Sequence, residues 1–180
     1  MSKPRKKAIG LFGGSFDPPH IGHSKISKIS LNKLKLKKIY WIVAKKNPFK
    51  NKAFFSIRQR VQKSKKILKG LRNIEVLYLD NKIKSSRMIK VINYFIKVRK
   101  QKDLYLILGS DNLPEFHKWT SWKRIVKLTK LVVFSRKGYD KKSKESIVVK
   151  YLKKKHIIFI KNKLIDISSS DIKRSHQENL

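Results

Sequence analysis

The chain has 180 residues, 40% of them hydrophobic, and carries 47 Lys and Arg against 11 Asp and Glu, a formal charge of +36. That length suits one domain with a buried core, taken here as residues 1–180, and the absence of cysteine excludes disulfides, thiolate metal sites and cysteine nucleophiles. No apolar run is long enough to span a bilayer, and Ala8–Phe12 is too short for the core of a signal peptide, so a cytoplasmic protein off the membrane is expected.

In chain order, strands are predicted over Ala8–Phe12, Ile39–Ala44, Ile74–Leu79, Leu104–Leu108, Leu131–Ser135 and Ile157–Ile160. Most are unbroken β-branched or aromatic runs, as in strands covered on both faces. Helices are predicted between them. The first covers His20–Leu34. A second carries Phe54, Ile57, Val61, Leu68 and Leu71 at three-and-four spacing, and a third carries Met88, Val91, Ile92, Phe95 and Ile96. A fourth covers Lys144–Lys153, and a short last one starts near Ser169, where serine serves as N-cap. Strands alternating with helices predict an α/β fold of one domain, a Rossmann-like, doubly wound parallel sheet. Its ligand site lies beyond the carboxyl ends of the strands.

The lysines run from Lys3 to Lys173, between apolar residues at helical and strand spacing, as solvated faces do. They attract anions in general, RNA included, without marking a specific nucleic-acid site. A nucleic-acid binder that uses this charge is the rival reading from another class; it predicts affinity falling steeply with salt.

The densest chemistry follows the first strand: Gly13-Gly14-Ser15-Phe16-Asp17-Pro18-Pro19-His20-Ile21-Gly22-His23. Glycines let the backbone approach a bulky anion, and proline suits the first turn of a helix. The helix start offers unpaired N–H groups to phosphate, and on a helix His20 and His23 share a face. A second string, Leu108-Gly109-Ser110-Asp111-Asn112-Leu113, leads into Phe116-His117-Lys118-Trp119 after the fourth strand. A third is Ile167-Ser168-Ser169-Ser170-Asp171-Ile172-Lys173-Arg174, whose serines open a helix.

The first string resembles the signature of the nucleotidyltransferase superfamily with the His-x-Gly-His motif. It is most similar to the bacterial nicotinate-nucleotide adenylyltransferases, over nearly the whole chain. The resemblance implies that ATP and nicotinate mononucleotide are the substrates, with magnesium carried on ATP; the chain shows no dense carboxylate cluster for a separate protein metal cage. The resemblance also implies that His20 and His23 bind the triphosphate and stabilise the transition state. It implies that Gly13, Gly14, Ser15 and Phe16, then Gly109 and Asp111, then Arg136, and then Ile167, Ser168, Ser169 and Ser170 meet ATP. Trp119 would stack on the pyridine of the mononucleotide, with Lys50 near its phosphate.

The chain departs from the family pattern in places. Relatives carry Tyr-Thr-x-x-Thr-Leu where this chain has Arg87-Met88-Ile89-Lys90-Val91-Ile92, so Met88 and Val91 stand in for two hydroxyl donors. Ser85, Ser86 and Arg87 are the candidates to replace them. Lys173 takes the place of the late arginine, with Arg174 adjacent, and Ala44 and Phe49 replace a proline and a histidine in the loop before Lys50. Pantetheine-phosphate adenylyltransferase, which shares the Gly-Ser-Phe-Asp-Pro start, is the alternative within the superfamily. A relative that binds nucleotide without turnover is a third reading.

Overall fold

Strands β1 (Ile9–Gly14), β2 (Lys38–Val43), β3 (Ile74–Leu77), β4 (Leu104–Gly109), β5 (Lys130–Phe134) and β6 (Ile157–Ile160) form one sheet. Every neighbouring pair is parallel, in the order β3-β2-β1-β4-β5-β6. The computed structural model describes residues 8–45, 53–153 and 155–161. All six predicted strands are present, with no end moved by more than two residues. The largest gain is in β1, which continues through Gly13 and Gly14 opposite Ile42 and Val43. The largest loss is in β3, where Leu79 leaves the strand and caps a short helix.

Alternate residues of the central strands enter opposite cores, the period-two rule of a pleated strand. Ile9 and Leu11 of β1, Leu104, Leu106 and Leu108 of β4, and Leu131 and Val133 of β5 face one side. Phe12, Tyr105, Ile107, Val132 and Phe134 face the other. Helix α1 (Ile21–Leu34) and helix α2 (Ile57–Ile67) cover the second face through Ile26, Ile57 and Val61. The short α3 (Asp80–Ile83), with α4 (Met88–Lys97), α5 (Trp122–Leu128), α6 (Asp140–Lys144) and α7 (Ile147–Leu152), completes the set. Of these, α4, α5 and α7 cover the first face through Ile92, Phe95, Ile125, Val126 and Val148. Helices on both faces make this the doubly wound architecture expected.

Two helical expectations change. The helix predicted over Lys144–Lys153 shortens to α7, because Ser146 caps its start and donates its hydroxyl to the Ser143 carbonyl at 2.7 Å, and the unpredicted α6 ends at Lys144. Helix α5 was not expected, since in its seven residues only Ile125 and Val126 are buried. The helix predicted near Ser169 lies outside the described residues.

From β1 the chain winds outward through β2 and β3, then crosses back to place β4 on the other side of β1. The crossovers diverge between β1 and β4, which opens a crevice at the carboxyl ends of those strands.

Candidate active site

His20 is not the first residue of α1 but its N-cap, with extended backbone at φ −145° and ψ 170°. Its Nδ1 accepts the Gly22 N–H at 3.2 Å, while His23 Nδ1 accepts the His20 N–H at 3.2 Å. The two histidines therefore form a reciprocal capping pair that satisfies two donors at the helix start. The ring centroids end up 3.9 Å apart. With each Nδ1 occupied as an acceptor, the neutral form of each ring carries its proton on Nε2.

Ordinary packing fixes the position of α1. Trp41 of β2 donates its indole N–H to Ser27 Oγ at 2.8 Å, and Ser27 donates to the His23 carbonyl at 3.0 Å. Phe16 stacks on Trp41 at 4.7 Å and 9°, and His23 lies 5.0 Å from the Phe16 ring and 5.7 Å from Trp41. This aromatic enclosure holds the His23 pKa well below its ordinary value, helped by the nearby His20 and the Arg136 cation. His23 is accordingly neutral at pH 7.

The second string ends β4 on the same edge. An added Cβ on Gly109 would collide with Asp111 Oδ1 and come within 3.1 Å of Arg136 Nε, so only glycine lets that carboxylate and guanidinium approach the strand end. Arg136 Nε and Asp111 Oδ1 lie 3.6 Å apart, both half-exposed. Ser110 Oγ donates to Asp140 Oδ1 at 2.9 Å and accepts the Arg136 N–H at 2.9 Å. Burial opposes ionisation of Asp140, but hydrogen bonds from Ser110, Ser135 and the Arg136 N–H hold its pKa below the usual value. Asp140 was not anticipated as part of this region; no periodicity marks it.

The remaining predicted residues divide. Gly13 lies at the end of β1, where a Cβ would run into the Met88 methyl. Met88 thus sits against the glycine turn, at the start of α4. Val91 is 1% exposed and belongs to the core. Ser86 and Arg87 are exposed ahead of α4, and the Arg87 N–H donates to Ser85 Oγ at 3.2 Å. Phe16 is 2% exposed, its ring packed on Trp41. Trp119 is half-buried and stacks on Phe116 at 4.8 Å and 26°. Trp122 packs edge-on against Tyr151 at 5.0 Å, in line with a packing role. Lys50, Ile167, Ser168, Ser169 and Ser170, with Lys173 and Arg174, lie outside the described residues. Among the described residues no group of three or more His, Cys, Asp or Glu could hold a metal ion, and no helix is long and apolar enough to cross a membrane.

Arg60 was missed. It is 2% exposed, on the core-facing side of α2 with Ser64 and the partly buried Ile57 and Val61. An arginine on the same helical face as Ile57 and Val61 was the available signal.

Comparison with known proteins bears on the family and the fold. Residues 11–175 match the cytidylyltransferase-like family. A Pelagibacter ubique (strain HTCC1062) protein named probable nicotinate-nucleotide adenylyltransferase is 41% identical over 170 residues, 94% of each chain. One of the same name from Endomicrobium trichonymphae is 31% identical, over 94% of this chain and 86% of that protein. In structure, Plasmodium falciparum nicotinic acid mononucleotide adenylyltransferase complexed with NaAD superposes with a TM-score of 0.75 at 19% identity, over 93% of this chain and 83% of that one. At that identity the likeness is one of fold. With a family match across most of its length and close relatives nearly end to end, the chain belongs to the cytidylyltransferase-like family and, within it, to the nicotinate-nucleotide adenylyltransferases.

Proposed function

We propose that the protein transfers the adenylyl group of ATP to nicotinate mononucleotide, giving nicotinate adenine dinucleotide and pyrophosphate in NAD synthesis. The observation that carries this reading is the pair of imidazoles, 3.9 Å apart, at the N-terminus of α1 beside the glycine turn that ends β1.

The chemistry asks little of the protein beyond alignment and charge. The 5′-phosphate of the mononucleotide is ionised at pH 7 and attacks the α-phosphorus as that phosphorus loses its bond to the β-phosphate oxygen. No general base and no covalent enzyme intermediate are required. What remains is to hold nucleophile and leaving group in line and to neutralise the charge that moves onto pyrophosphate. His20 and His23 supply Nε2–H donors on rigid rings, the start of α1 supplies main-chain N–H groups, and Arg136 supplies a cation. Asp111 restrains Arg136 and faces the adenosine. ATP arrives as its magnesium complex, so the metal is part of the substrate.

Trp119 offers the ring face opposite Phe116 to the electron-poor pyridine. Met88 replaces a hydroxyl beside Gly13 with a thioether, which moves polar recognition of the mononucleotide onto Ser86, Arg87 and Lys50. The serines at 168–170 add N–H and hydroxyl donors for the triphosphate. The other superfamily acceptor, pantetheine phosphate, has no flat electron-poor ring for Trp119. Running both acceptors side by side tests the reading: dinucleotide formation with nicotinate mononucleotide supports it, and turnover with pantetheine phosphate alone overturns it.

A further inference from the structure

The buried Arg60 guanidinium is bonded to four main-chain carbonyls. Its Nη1 donates to the Ser15 carbonyl and to the Ala44 carbonyl, each at 2.8 Å. Nη2 donates to the Lys45 carbonyl at 3.0 Å, and Nε to the Phe55 carbonyl at 3.1 Å. One side chain thus joins the turn after β1, the end of β2 and the approach to α2. Two buried carboxylates serve the same segments. Asp17 accepts the Phe54 and Phe55 N–H groups at 2.8 Å, and Asp80 Oδ2 accepts the Lys45 N–H at 2.9 Å. The peptide between Ala44 and Lys45 is therefore held at its oxygen by Arg60 and at its nitrogen by Asp80.

The grip on Ser15 has a stereochemical consequence. In a trans peptide the C=O and N–H point in opposite directions. The Gly14 carbonyl accepts the Ala44 N–H at 3.0 Å, and the Ser15 carbonyl accepts Arg60. Both oxygens thus face β2 and α2. The N–H groups of the same two peptides, those of Ser15 and Phe16, face the other way, and among the described residues neither meets an acceptor. Phe16 has φ +46°, a left-handed conformation that a phenylalanine does not choose unaided. Stacking on Trp41 holds its ring, and Arg60 holds the peptide that precedes it.

We propose that Arg60 is a positioning residue for adenylyl transfer: by fixing the Ser15 carbonyl it turns the Phe16 N–H, which lies beside that of Ser15, toward the triphosphate. This rests on the adenylyl-transfer reading above. A lysine could place a cation near these oxygens, but it has no fork to reach four of them from three directions. The residue therefore acts through geometry, not charge.

The test compares Arg60→Lys, Arg60→Met and Arg60→Ala with the unchanged full-length chain. Pyrophosphate release is followed at saturating magnesium-ATP and varied nicotinate mononucleotide, with thermal melting run in parallel and all kinetics taken below the melting transition. Misplacing the Phe16 N–H costs kcat about 10²-fold in Arg60→Lys as well as in Arg60→Met, while KM for the mononucleotide stays nearly constant. Added methylguanidinium raises kcat of Arg60→Ala and leaves the unchanged chain as it was. A purely structural arginine gives the opposite pattern: lower melting temperatures with kcat intact in the folded fraction. That result overturns the proposal, as does an unfolded Arg60→Met accompanied by an Arg60→Lys of unchanged kcat. Absence of turnover in the unchanged chain would instead overturn the adenylyl-transfer reading.

Discussion

The Nδ1 of His23 accepts the main-chain N–H of His20 at 3.2 Å, so a ring that faces the substrate edge also closes the first turn of α1. This double duty decides which substitutions are informative. His20→Asn keeps a good N-capping side chain but loses Nε2, so its loss of activity is a loss of chemistry and not of fold. We expect kcat for pyrophosphate release to fall about 10²–10³-fold in His20→Asn and in His23→Ala. Circular dichroism and steady-state assays on the same samples check this.

The depressed pKa of His23 makes stability depend on pH in a definite direction. Unfolding returns the ring to its ordinary pKa of 6.5, so below that pH the unfolded chain binds a proton that the folded chain refuses. Stability is then complete above about pH 6.5 and falls as pH drops, by at most about 1.4 kcal/mol per pH unit from this group. Urea unfolding from pH 7.5 to 5 should show that slope, and His23→Gln should lack His23's share of it.

Arg136 supplies part of that depression. Arg136→Met should raise the His23 pKa, visible as an upfield-to-downfield shift of its ring protons at higher pH in an NMR titration. Arg136→Lys, which keeps the cation, should leave the titration closer to the original. An unchanged pKa in Arg136→Met would mean that enclosure and His20 set it.

The two strand-end glycines should respond unequally to alanine. At Gly109 the new methyl meets Asp111 and Arg136, which are already tied to each other. At Gly13 it meets the far end of the flexible Met88 side chain, which can swing aside. Gly109→Ala should therefore cost about 1–3 kcal/mol by overpacking and most of the activity. Gly13→Ala should cost less, and Met88→Ala should relieve it. Chemical denaturation of the three variants checks the order.

The architecture was legible because unbroken apolar runs announce buried parallel strands, and because paired glycines after one such run announce a ligand edge. The approach of His20 to His23 was legible from their three-residue spacing. Its cause was not, since periodicity cannot show that each imidazole accepts a main-chain N–H. Val91 illustrates the reverse: read as a lost hydroxyl donor, it is a core residue in the fold. Arg60 escaped because pattern reading sorts a charged residue to the surface, whereas this one is buried by main-chain carbonyls contributed from four separate positions. Asp140 escaped for a similar reason: Arg136 is a local neighbour, but Ser110 is brought to it only by the pairing of β4 with β5.

The central claim, attack on the α-phosphorus of ATP by nicotinate mononucleotide, is tested most directly by following label from ATP. With the phosphorus label at the α position, the account predicts that all transferred label appears in nicotinate adenine dinucleotide. With the label at the γ position, it predicts label in pyrophosphate, one for each dinucleotide formed. Label in AMP or free phosphate without dinucleotide, or no release at all with magnesium present, would contradict it.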